Sequence, residues 1–172
     1  MQIGPYDVVR QFARTLRNLD AILGKAEAHA EARKFNPDNY LGLRLFPDML
    51  PFTAQIRIAC DVAKFVAARA SGQAPPQHAD DEKTWAEVRG RIAKVLAYLD
   101  AFGEADFAGA QADTLVPVPN PPGKVMRLTD YILTRQIPNF YFHVSTAYGL
   151  LRAGGVEIGK VDYLGALDLL DA

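Results

Sequence analysis

The chain has 172 residues, a length that suits one compact domain, so residues 1–172 are read as a single unit. Hydrophobic residues make up 49% and charged residues 23%, values that exclude a disordered or collagen-like chain. Lys+Arg 19 against Asp+Glu 20 leaves a net charge of -1, so nothing electrostatic draws it to nucleic acid, and one cysteine cannot form an internal disulfide, which fits a reducing compartment.

Residues 6–34 place Val9, Phe12, Leu16, Leu19, Leu23, Ala26 and Ala30 at alternating steps of three and four, the apolar stripe of a first helix. Pro5 suits its first turn, and Asn36-Pro37 stops it because a residue before proline avoids the α region. Asp7, Arg10, Arg14 and Arg17 break up any signal-peptide run, and no uncharged stretch approaches the ~20 residues a bilayer requires, so the cytoplasm is expected and a membrane is not. Asp48 is placed as the N-cap of a second helix, with Pro51 in its first turn and Phe52, Ile56, Ala59, Ala63, Val66 and Ala70 on its seam.

The segment SGQAPPQHADDE is a linker, long enough for the next helix to cross over the bundle. Trp85, Val88, Ile92, Val95, Leu99 and Phe102 mark a third helix, with Asp80, Asp81, Glu82 and Glu87 crowding its N-terminal end. Residues 113–128, rich in proline, read as a two-stranded hairpin projecting from the bundle. Thr129–Gln136 is a helical lead-in. Ile137, Tyr141, Val144, Tyr148 and Leu151 form the seam of the last helix, which Gly154-Gly155 ends, and the tail packs back on the bundle. The expected fold is all-α: a four-helix bundle with a short β-hairpin between helices three and four.

Sharp enzyme signatures are absent: there is no Walker loop, dinucleotide fingerprint, HExxH, CxxC or GxSxG. Candidate chemistry rests on polar groups borne by apolar helices. Asn139 and His143, four apart, share a face, as do Asp48 and Gln55, seven apart. Arg44 precedes the second helix and His29 lies near the end of the first. Inward-pointing groups of this kind build bundle sites, although an isolated histidine commonly just hydrogen-bonds a neighbour. Arg44 and Asp48 read more simply as an ion pair pinning the loop to the second helix, and His29 as exposed or hydrogen-bonded to a loop. His78 is assigned no role. Cys60 reads as a small buried hydrophobe, and Phe140, Tyr141, Phe142 and Tyr148 as core or subunit interface.

Three segments, LRNLDAILGKAEAHAEARK, LRLFPDMLPFTAQIRIACDVAK and PNFYFHVSTAYGLLRAGGVEIGKVDYLG, resemble the DUF1993 family of uncharacterised bacterial proteins. That family is similar to a branch of the DinB/YfiT-like superfamily of four-helix bundles. The resemblance implies a frequently dimeric bundle in which relatives bind a divalent metal through three histidines, one on the second helix and two on the fourth. Some relatives are thiol-dependent transferases. His143, followed by Leu151-Arg152, matches the second histidine of the fourth-helix pair, Asn139 falls at the first, and Gln55 at or near the second-helix position. Amides are weak ligands for zinc or nickel, so neither metal nor cofactor is expected.

Two readings follow. One is a metal-free bundle with a polar pocket of Gln55, Asn139 and His143, Arg44 and Asp48 near its rim, that takes a small molecule. The other is a metal-dependent hydrolase or thiol transferase using His143 with Asp48 or another carboxylate and a water nucleophile. A homodimer is expected from the resemblance and from Ile58, Val62, Phe65, Phe142 and the tail leucines.

Overall fold

A computed structural model describes residues 3–118 and 121–170. Pro119 and Asn120, inside the expected hairpin, and the last two tail residues lie outside the described residues.

Helix α1 (Pro5–Ala32) begins where the Gly4 N–H donates to the Asp7 carboxylate at 2.9 Å, with Pro5 in the position where its missing N–H breaks no bond. Lys34, at φ 60°, turns the chain out at its far end. A 3-10 turn, Pro37–Tyr40, leads into the loop before α2 (Phe52–Ser71). Asp48 does not cap α2, contrary to the sequence expectation. Pro51 holds the cap position in extended conformation, and a residue before proline is kept out of the α region, so no helical turn runs from Asp48 through Leu50. The first N–H groups of α2 are satisfied by backbone instead: Phe52 donates to the Leu43 carbonyl at 2.9 Å and Thr53 to that of Leu41 at 3.2 Å.

Helix α3 (Trp85–Asp100) opens on a capping box between Thr84 and Glu87, and the Asp38 carboxylate accepts the Trp85 N–H at 2.6 Å. It ends before Phe102, which is buried in the following turn rather than on the helix. Strands β1 (Leu115–Val118) and β2 (Lys124–Arg127) pair antiparallel, Leu115 opposite Arg127. Val116 and Val118 are buried, so the hairpin lies against the bundle rather than projecting clear of it.

The chain then continues helically through α4 (Leu128–Asp130), a π-helical stretch Tyr131–Gln136, and α5 (Ile137–Ala153). The buried face of α5 is wider than the expected seam. It holds Phe140, His143, Val144, Thr146, Ala147, Leu150 and Leu151, while Ile137, Tyr141 and Tyr148 are half-buried. The reason is that α5 wedges between two helices: Phe140 stacks on Phe12 of α1 with centroids 4.1 Å apart, and His143 faces α2. The short α6 (Lys160–Leu164) docks on α1, where Asn18 donates to the Tyr163 carbonyl at 3.2 Å and Lys25 pairs with Asp162 at 2.5 Å.

Around the bundle the long helices follow the order α1, α3, α2, α5, and α1 and α2 also pack on each other across the middle. Phe52 at the start of α2 stacks on Trp85 at the start of α3, so these helices run parallel. The linker must therefore return the length of α2. That helix of 20 residues spans about 30 Å, and residues 72–84 reach about 43 Å when extended. Crossing over is thus observed as expected. The returning strap is pinned by arginines: Arg57 donates to the Asp80 carbonyl at 2.6 Å and Arg91 to that of Ala79 at 2.9 Å. The Arg91 guanidinium also meets Glu82 at 3.0 Å and Asp61 and Asp80 at 3.1 Å, while Lys64 pairs with Asp61 at 2.7 Å. Ala59, Ala63 and Ala70 are buried on α2, and Cys60 is fully enclosed, its thiol pKa pushed up to about 12, chiefly by burial.

Candidate functional site

Helices α2 and α5 bring Gln55 and His143 together. Gln55 is 1% exposed and His143 7%, and the His143 Nδ1 lies 2.7 Å from the Gln55 Oε1. The direction of this bond follows from a third group. The Gln55 amide nitrogen donates to the Leu50 carbonyl at 2.9 Å, and a carbonyl can only accept. The Gln55 oxygen must then face the ring, so His143 Nδ1 carries the proton and donates it. Nε2 is left as the lone-pair nitrogen, and no described residue hydrogen-bonds it. Burial lowers the His143 pKa, which keeps the ring neutral at physiological pH. The arrangement is an oriented neutral acceptor. Phe142 meets the ring edge to face, with centroids 5.2 Å apart, and is itself exposed.

The other sequence candidates stand elsewhere. Asn139 is half-buried one turn before His143, and its side chain makes no hydrogen bond among the described residues. Arg44 donates to the Met49 carbonyl, not to Asp48, which is exposed and in no ion pair among the described residues, so the loop is tied by backbone instead. His29 pairs with the Tyr40 hydroxyl at 2.6 Å and packs edge-on against Phe35, away from the Gln55–His143 pair. It ties a loop to α1. The residues that sequence reasoning passed over are Lys64 and Arg91. Both are buried charges, and their positions among seam residues of α2 and α3 were the available signal.

The superfamily metal does not fit this donor set. The Gln55 oxygen is already committed to His143, Asn139 offers a neutral amide, and a single imidazole nitrogen remains. Among the described residues no group of three or more His, Cys, Asp or Glu is placed to hold a metal ion. Nor is any helix among them long and apolar enough to cross a membrane.

Residues 6–164 match the family described as a domain of unknown function, DUF1993. The crystal structure of a DinB family member protein from Shewanella denitrificans is similar at a TM-score of 0.90 and 48% identity, over 97% of this chain and 95% of that one. No curated protein matches the chain.

Proposed function

Since the chain belongs to the DUF1993 family, we propose that it is a metal-free binding protein, with the Gln55–His143 pair receiving a small molecule where DinB-like relatives hold a metal. The observation that carries this reading is the 2.7 Å bond from His143 to Gln55, because it engages the amide oxygen and leaves Nε2 as a free acceptor. The molecule that suits Nε2 has an O–H or N–H donor, and an apolar body would lie against exposed Phe142 and Leu50, with Asn139 at the edge. Asp48, the one carboxylate named for a metal-dependent hydrolase or transferase, is exposed in its loop.

The test is nuclear magnetic resonance of the imidazole nitrogens in untagged protein purified without chelator. The expected result is an Nδ1-protonated ring whose signals ignore added zinc or nickel and move with phenols, indoles or alcohols. Stoichiometric zinc, nickel or iron in the purified protein, or a His143 signal that follows added metal, would overturn the reading.

The bundle is further proposed to work as a homodimer. Phe142, Leu167, Leu169 and Leu170 are exposed, which supports an apolar contact face, although Val62 is buried and Ile58 and Phe65 are half-buried. Sedimentation at micromolar concentration should show twice the monomer mass. A monomer alone would refute this.

A further inference from the structure

Two cavities meet at the start of α1, and neither is lined by Gln55 or His143. One is an open cleft of about 850 Å³ between α1 and the end of α3, where Arg10, Arg14 and Arg17 stand beside Tyr6, Leu99 and Phe102. The other is a groove of about 440 Å³ between α1 and α5, walled by Ile3, Val8, Phe12, Ile137 and Tyr141. Asp7 and Gln11 line both, so one ridge of α1 separates them. Helical phase makes their characters opposite. At about 100° per residue Asp7, Gln11 and Arg14 share a line, Val8 and Phe12 fall on one side of it, and Tyr6, Arg10 and Arg17 on the other.

The charges of the cleft are unevenly matched. Arg17 pairs with Asp100, and the Asp7 carboxylate accepts the Gly4 N–H at 2.9 Å. Arg14 donates to the Ala166 carbonyl of the tail, and Arg10 lies over the Tyr6 ring, 5.8 Å from its centroid. Neither Arg10 nor Arg14 has a carboxylate partner among the described residues, although Asp168 of the same tail also lines the cleft. Both arginines are open to solvent, Arg10 exposed and Arg14 half-buried. The groove is open too: its floor is buried Val8 and Phe12, and its walls are exposed Ile3 and half-buried Ile137 and Tyr141.

We propose that this junction binds a single-chain amphiphile with an anionic head, a medium-chain carboxylate being the simplest, its head on Arg10 and Arg14 and its chain across Gln11 in the groove. Two guanidinium groups without a carboxylate, next to an apolar groove, complement a molecule that is anionic at one end and apolar along its length. A small polar anion would leave the groove wet, and an uncharged chain would leave the arginines unpaired. The Gln11 amide donates to the Tyr141 hydroxyl at 3.3 Å, which ties the two walls of the groove to each other. A head group on Arg14 sits beside the bond to the Ala166 carbonyl, so the tail amides report on its arrival.

The experiment is titration of the full chain with octanoate below its micelle-forming concentration, followed by backbone amide resonances. Butyrate, octanol and octylamine are the comparisons. Octanoate is expected to shift Val8, Gln11, Arg14 and Ala166 saturably and to bind at least about tenfold tighter than butyrate, whose chain is too short to fill the groove. It should also bind several-fold tighter than octanol or octylamine. Arg10→Gln combined with Arg14→Gln should reduce octanoate to the affinity of octanol and leave octanol unchanged, while Ile3→Ser, at an exposed position, should weaken both. Absence of saturable shifts refutes the proposal. It is refuted equally if octylamine binds as tightly as octanoate, if the double variant binds octanoate as the parent does, or if the chain sediments with anionic vesicles while free octanoate leaves the spectrum unchanged.

Discussion

The ring of Trp85, the first residue of α3, stacks on that of Phe52, the first residue of α2, with centroids 5.6 Å apart and planes 10° apart. Two helix beginnings are clamped together, so the strap is under obligation to return, and both rings are sealed from solvent. The Tyr40 ring packs on the same indole, which draws the loop after α1 into the clamp.

Trp85→Ala should therefore lower stability by about 3–5 kcal/mol, the usual range for truncating a buried aromatic. Trp85→Phe keeps a ring on Phe52 and removes an indole N–H that has no partner, so it should lose less than about 1.5 kcal/mol. Urea unfolding followed by circular dichroism measures both. Equal losses would show that the stack contributes nothing beyond the volume of the indole.

His143→Ala leaves the Gln55 oxygen buried without a donor, an expected loss of about 1–3 kcal/mol. Replacing both partners with leucine removes the two polar groups together and should cost less than the sum of the single changes. A double-mutant cycle in urea reads the difference, and strict additivity would place the two side chains out of contact.

Stability should also fall on mild acidification. Burial lowers the His143 pKa, and burial followed by Lys64 and Arg91 lowers that of His78, where Asp61 opposes and Lys94 adds. A histidine whose folded pKa lies below its unfolded value of about 6.5 takes up its proton more readily when unfolded. The contribution is full above that value and is lost as pH drops toward the folded pKa. The urea midpoint should decline from about pH 7.5 to about pH 5.5, with a shallower slope in His143→Gln. A midpoint that rises on acidification contradicts the assignment.

Gly165 has φ +68°, and a Cβ there would fall inside contact distance of the Asn18 amide. Gly165→Ala should release α6 from α1 at a cost of about 1–3 kcal/mol, whereas Gly159→Ala meets open space. Hydrogen exchange of Val161–Leu164 discriminates: faster exchange in the first variant alone is expected, and matched rates in both would dismiss the contact.

Removing one member of a buried ion network differs from removing a surface pair. Arg91→Met leaves buried Glu82 with Arg57 at 3.9 Å as its nearest cation and should cost about 3–5 kcal/mol, while Arg17→Ala, which frees half-exposed Asp100, should cost less than about 1 kcal/mol. Thermal melts at low and high salt compare them, and similar losses would mean the Arg91 cluster is wetter than its burial implies.

Helix positions were legible because the stripes of α1, α2 and α3 repeat at three and four, and one-sided burial follows directly from that spacing. The stripe of α5 was read on the wrong flank: Phe140 and His143 lie on one side of Val144 and are buried, whereas Tyr141 and Tyr148, read as seam, lie on the other and are half-buried. The pairing of Gln55 with His143 was anticipated, but its polarity was not: the Leu50 carbonyl that orients the amide is a backbone group, which carries no residue signature. Arg44 and Asp48 misled for the same reason, because the loop between α1 and α2 is closed by main-chain bonds from Phe52 and Thr53.

The π-helical stretch Tyr131–Gln136 gives this last helix a place to store length. Each residue of an α-helix advances about 100°, so a deletion between Gln136 and His143 would swing the imidazole off the Gln55 oxygen. A π turn holds one residue more than an α turn of the same rotation, and shortening it by one restores ordinary winding with both flanks in phase. The hydrogen bond from Arg69 to Tyr131 at the start of the stretch and the bond from His143 to Gln55 downstream are thus decoupled in chain length. One residue fewer inside the turn leaves the same face toward α2, and one residue fewer beyond it presents a different one.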